Sequence, residues 1–118
     1  MQASIGTVEE LETDGRLLGR VGDREVAVFR IDGRLVAYEN LCPHLGGPVC
    51  AGRVLPKVEA VVEGDTVIER FSEAETVLNC PWHGWEFDLA SGECRAYPRR
   101  RLRALSVEIE GDHVLVEA

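Results

Sequence analysis

No C-x-x-C pair occurs in this 118-residue chain, so the paired cysteines with which zinc fingers usually begin a ligand set are missing. There is no G-x-G-x-x-G after a strand pattern and no P-loop, so the chain is not expected to be an NADH-dependent reductase in itself. Histidine is scarce, at three residues. Lysine and arginine number 13 against 21 acidic residues, a formal charge of −8. That deficit argues against nucleic-acid binding, which needs a basic face to meet phosphates. It suits either plain solubility or brief docking onto a basic partner. No basic segment followed by an apolar stretch opens the chain, and no apolar run approaches a membrane span. The expectation is a cytoplasmic protein with no membrane part. Repeats, linkers and low-complexity segments are absent, so one domain, residues 1–118, is expected.

What is present is a pair of short loops. One reads Cys42-Pro43-His44-Leu45-Gly46-Gly47-Pro48, the other Cys80-Pro81-Trp82-His83-Gly84-Trp85-Glu86-Phe87-Asp88. Each offers a thiolate and an imidazole on a Pro- and Gly-rich turn, and both ligand types suit zinc and iron. Residue types alone leave a zinc-binding interaction module and an iron cluster both open. The mixed pairs, Cys-x-His and Cys-x-x-His, favour a two-iron cluster reached from two sides, with thiolates on one iron and imidazoles on the other.

In these motifs the chain resembles the Rieske ferredoxin family, whose loops read C-x-H-x-G-G and C-x-x-H-G-W-x-F-D. The resemblance implies an all-β Rieske fold: antiparallel sheets with a small cluster-binding subdomain inserted over about residues 41–89. It implies one [2Fe–2S] cluster bound by Cys42, His44, Cys80 and His83. It also implies a soluble one-electron carrier passing electrons from a flavin reductase to a terminal oxygenase. Small Rieske subunits of assimilatory nitrite reductases are similar in size and form the alternative. With two histidines assigned to the cluster, His113 cannot build a separate oxygenase iron site, which usually takes two His and a carboxylate. The chain is therefore expected to be an electron-transfer component and not an enzyme.

Along the chain the pattern is a meander of short strands. Candidate strands are Ala3–Val8, Arg16–Val21, Arg24–Ile31 and Arg34–Glu39, with hairpin turns at Gly22-Asp23 and Asp32-Gly33. Glu9–Gly15 reads as an acidic turn. Between the loops, Lys57–Glu63 and Thr66–Phe71 flank Gly64-Asp65 and read as an extra, acidic hairpin, a tolerated surface insertion in preference to a docking lobe. A helix at Phe71–Glu75 is the weaker reading there. Val77–Asn79 enters the second loop and Trp85–Leu89 leaves it; Ser91-Gly92 then turns the chain toward a strand at Cys94–Tyr97. Leu102–Glu110 and His113–Glu117 close the chain around Gly111-Asp112. Arg95, Arg99, Arg100, Arg101 and Arg103 form a basic stretch, read as a solvated strand edge in preference to a contact for an acidic partner.

Two further expectations concern tuning. The quinol-oxidising branch of the family carries an extra cysteine in each loop, and the corresponding positions here, Gly47 and Trp82, cannot form that bridge. Its hydroxyl donors correspond to Trp85 and Phe87, which carry none, so the potential should lie toward the low end of about −150 to +300 mV. It should also fall as pH rises through the pKa values of the histidine ligands in the oxidised state. Cys50 and Cys94 are left over and are expected as separate, reduced, buried thiols.

Overall fold

The computed structural model describes every residue except Asp32, His44, Leu45, Trp82, His83 and Pro98, and within strands omits the side chains of residues 56–63 and 68–75. The element order is β1 (Gln2–Thr7), α1 (Val8–Asp14), β2 (Arg16–Val21), β3 (Arg24–Ile31), β4 (Arg34–Glu39), a single 3-10 turn at Val49–Ala51, β5 (Arg53–Glu63), β6 (Thr66–Asn79), β7 (Glu86–Asp88), β8 (Ala104–Glu110) and β9 (His113–Glu117). β1, β9, β8, β4, β3 and β2 form a six-stranded sheet in that order, and β5, β6 and β7 form a three-stranded one. All the pairings are antiparallel. This is the expected all-β architecture, with the smaller sheet inserted between β4 and β8.

The larger sheet curls until its two edge strands meet. A bulge between Ser4 and Gly6 sets Ile5 out of register with β9. Ile5 then lies on Gly19 of β2, where an added Cβ would come within 2.8 Å of the Ile5 Cβ. Inside the curl, Leu11, Leu17, Val21, Val26, Val28, Ala37, Val114 and Val116 form one buried core. A second core includes Ala27, Phe29, Ile31, Tyr38, Leu78, Phe87, Leu89, Leu102 and the four cysteines. β3 alternates between them: Val26 and Val28 face the first core, while Ala27, Phe29 and Ile31 face the second. A strand buried on both faces is a continuous apolar run, as Val26–Phe29 is. Val26, Val28 and Phe29 each contribute about 1.5–3 kcal/mol by leaving water.

Several local expectations are corrected. Glu9–Gly15 is not a turn: Val8–Asp14 is a helix with a complete capping box, in which the Thr7 hydroxyl accepts from Glu10 N–H while Glu10 accepts from Thr7 N–H. One buried residue, Leu11, pins it, too few for a helical period to show in the sequence. Phe71–Glu75 belongs to β6, not to a helix. β5 starts at Arg53 and runs through Pro56, which is tolerated because β5 is an edge strand with a register shift between Pro56 and Val58. Cys94–Tyr97 is not a strand. That region makes isolated bridges, Phe87 to Cys94 and Glu93 to Arg101, and the basic stretch lies largely in a loop.

Candidate metal centre

Loop 1 joins β4 to the 3-10 turn and loop 2 joins β6 to β7. Both close with the same hydrogen bonds. In loop 1, Cys42 N–H donates to Gly47 C=O at 2.8 Å and Gly46 N–H donates to Cys42 C=O at 2.8 Å. In loop 2, Cys80 N–H donates to Trp85 C=O at 2.8 Å and Gly84 N–H donates to Cys80 C=O at 2.9 Å. The fifth residue of each loop is a left-handed glycine, Gly46 at φ 74° and Gly84 at φ 68°, which a side chain would strain. Cys42 and Cys80 thus occupy equivalent places in two copies of one loop. They are buried, at 3% and 2% exposure, in the same apolar core. His44, His83 and Trp82 lie outside the described residues.

The loops are anchored where they meet the sheets. Gly52, just past the 3-10 turn, packs against the carbonyl of Asn79, the residue before Cys80, and the neighbouring Arg53 pairs with Asn79. Exit from loop 1 and entry to loop 2 therefore lie side by side. The half-buried Arg16 guanidinium crosses from β2, donating to Cys50 C=O at 2.9 Å and Gly52 C=O at 2.6 Å, and sits 5.5 Å over the Phe29 ring. Asn40 Oδ1 accepts from Cys50 N–H at 2.8 Å, and Asn40 N–H donates to Glu25 C=O at 2.8 Å. Glu39, between Arg24 at 3.3 Å and Arg103 at 3.6 Å, steadies the start of loop 1.

Beneath the loops, the Tyr38 hydroxyl donates to Leu89 C=O at 2.7 Å, and burial followed by the charge of Asp88 raises its pKa to about 12. Cys50 is wholly buried with its thiol 3.9 Å from Glu39 C=O; burial pushes it up to about 12, with Arg16 opposing. Cys50 and Cys94 carry separate thiols, as expected. Phe87 is core, and Trp85 is half-buried with its ring 5.0 Å from that of Tyr97.

Arg16, Asn40, Gly52 and Tyr38 were not singled out from the sequence as supports of the site. They act through contacts between elements separated in the sequence, which no local pattern records. Two buried thiols at matching positions of matching loops fit a group that needs two sulfur ligands from two directions, and the glycine corners keep side chains away from it.

The Rieske [2Fe–2S] domain model matches residues 2–106. A Rieske domain-containing protein of Homo sapiens is 30% identical over 89 residues, covering 75% of this chain and 47% of that protein. The ferredoxin component of the alkene monooxygenase system of Xanthobacter autotrophicus is 25% identical over 96 residues, covering 81% of this chain and 64% of its own length. The chain thus spans between about half and two thirds of these two relatives. Among solved structures, the ferredoxin of carbazole 1,9a-dioxygenase from Nocardioides aromaticivorans superposes with a TM-score of 0.66 at 24% identity, covering 98% of this chain and 96% of that one.

Proposed function

From the chain's membership of the Rieske [2Fe–2S] domain family, whose cofactor is a single [2Fe–2S] cluster, we propose that it is a one-electron carrier delivering electrons from a flavin reductase to a terminal oxygenase. Cys42 and Cys80 hold one iron in this reading, and His44 and His83 the other. The observation that carries it is the matched pair of loops presenting Cys42 and Cys80 from one core. When bound, the cluster takes up and releases one electron.

The chain's own residues do the rest. The loop corners at Gly46 and Gly84 let backbone approach closely, and the apolar core under Cys42 and Cys80 excludes water from the sulfur side. Phe87, buried and without a hydroxyl, offers no donor there, which supports a low-potential centre. The likeness to the Xanthobacter relative, a ferredoxin component of an alkene monooxygenase system, supports the carrier role over that of a self-contained enzyme. No helix among the described residues is long and apolar enough to cross a membrane. A cytoplasmic location and one folding unit over residues 1–118, with the cluster lobe at about 41–89 and an extra hairpin at about 57–71, complete the proposal.

The test is a spectroelectrochemical titration of anaerobically purified protein with iron and acid-labile sulfide assays. Equal iron and sulfide and uptake of one electron near the low end of the Rieske range are expected. A potential well above zero refutes the reading of Trp85 and Phe87. A colourless protein after reconstitution refutes the carrier. Co-purification with a sirohaem protein turns the partner reading to nitrite reductase.

A further inference from the structure

Residues 93–101 form a small loop lying across both cluster loops. Its neck is closed by the Glu93–Arg101 bridge and by Cys94 N–H donating to Arg100 C=O at 2.9 Å. On one side Arg100 donates through Nη1 to Pro43 C=O of loop 1 at 3.3 Å. On the other, the Tyr97 ring packs at a 33° tilt against Trp85 of loop 2. Leu41, whose Cδ1 lies 3.6 Å from where a Cβ on Gly46 would stand, stays 52% exposed, and Tyr97 stays 55% exposed. Two large apolar groups therefore stand in water beside the metal centre.

Charge on this face departs from that of the whole chain. Arg101 is paired with Glu93 at 3.0 Å, Arg95 with Glu86 at 3.7 Å, and Arg103 with Glu39 at 3.6 Å. Arg99 and Arg100 are exposed and have no carboxylate partner among the described residues; Arg100's bond to a neutral carbonyl leaves its charge uncompensated. A chain of net charge −8 thus turns a locally positive face toward anything approaching its loops.

We infer that this face is the docking surface for a redox-partner protein that presents carboxylates around an apolar patch. The inference rests on the carrier reading above. Tyr97 and Leu41 supply the apolar anchors, and Arg99 and Arg100 supply the charges that steer and orient. Net charge alone points to a basic partner. The local arrangement reverses that, because like charges brought together at a contact penalise the wrong partner.

Small oxidants stand in for the unidentified partner. Reduced holoprotein is mixed with trianionic ferricyanide or with tricationic tris(phenanthroline)cobalt(III). Each oxidant takes one electron from the protein, giving ferrocyanide or cobalt(II). The ferricyanide rate should fall about threefold or more as salt rises from about 10 to 200 mM. Arg99→Gln with Arg100→Gln should abolish that dependence, with the midpoint potential measured alongside to exclude a change in driving force. A second readout needs no turnover. Both tryptophans, Trp82 and Trp85, lie in loop 2, so fluorescence quenching by iodide relative to caesium should be strong in the wild type and drop in the double variant. Ferricyanide oxidation that accelerates with salt, or quenching and rates unchanged by the double substitution, overturns the docking surface alone. Failure of both oxidants to take an electron overturns the carrier reading itself.

Discussion

Replacing Gly52 by alanine probes the seam between the two loops. Gly52 has φ −73° and ψ −178°, extended backbone that any residue adopts, so the substitution strains no dihedral. The new Cβ would instead fall on the Asn79 carbonyl oxygen, 2.9 Å from its carbon and 3.0 Å from the Val49 oxygen. These are backbone atoms, and no rotamer change can move them aside. Overpacking of this kind costs about 1–3 kcal/mol. A displaced turn also loses Arg16's charge-assisted bond to Gly52 C=O, worth about 1.5–3 kcal/mol. The expected loss is about 2.5–6 kcal/mol, a large share of the stability of a small domain. Gly15→Ala is the matched control: its φ is 79° and nothing lies within 4 Å of an added Cβ, so only backbone strain of about 1–2 kcal/mol applies. Urea melts of the holoproteins give both differences, and release of iron to a chelator shows whether Gly52→Ala loosens the loops. A Gly52→Ala protein within about 0.5 kcal/mol of wild type, or a costlier Gly15→Ala, refutes the reasoning.

Arg16→Gln removes the cation that bridges Cys50 and Gly52 carbonyls and should lower stability by about 2–3 kcal/mol in the same melts; a neutral result means water replaces the guanidinium. Tyr38→Phe leaves the buried Leu89 carbonyl without its hydroxyl donor and should cost about 1–2 kcal/mol by urea denaturation. Alkaline stability follows from Cys50, raised from 9.0 to about 12, and Tyr38, raised from 10.0 to about 12. Both hold their proton more tightly folded than unfolded. Their contribution is thus complete below pH 9 and is lost as pH climbs toward 12, at about 1.4 kcal/mol per pH unit for each group while it titrates only in the unfolded chain. Melts in a pH series check the decline; Cys50→Ala should remove the part that begins near pH 9, and a flat wild-type profile would refute the assignment.

Legibility in the sequence tracked how local each determinant is. β2, β3 and β9 were readable to the residue because alternation and two-residue turns such as Gly22-Asp23 and Gly111-Asp112 are written within a few positions. The Thr7-x-x-Glu10 box was readable as well, but a seven-residue helix shows no period and passed for an acidic turn. Cys42 and Cys80 stood out through their motifs. What holds their loops did not, because Arg16 to Gly52, Tyr38 to Leu89 and Arg100 to Pro43 are contacts 36, 51 and 57 residues apart. Which arginines of the basic stretch are neutralised was not legible for the same reason: it depends on Glu39, Glu86 and Glu93 arriving beside them.

β3 is a wall shared by two rooms, and that bears on engineering. Excising the inserted sheet at residues 53 and 88 would take the hairpin and loop 2 but leave loop 1 and the floor behind, since Ala27, Phe29 and Ile31 belong to the host sheet. A transplant into another scaffold would have to bring those three side chains, with Tyr38 to clasp Leu89. A change at Val28 is felt in the closed curl, whereas its neighbour Phe29 answers to the loops, so adjacent codons are held in place by separate demands.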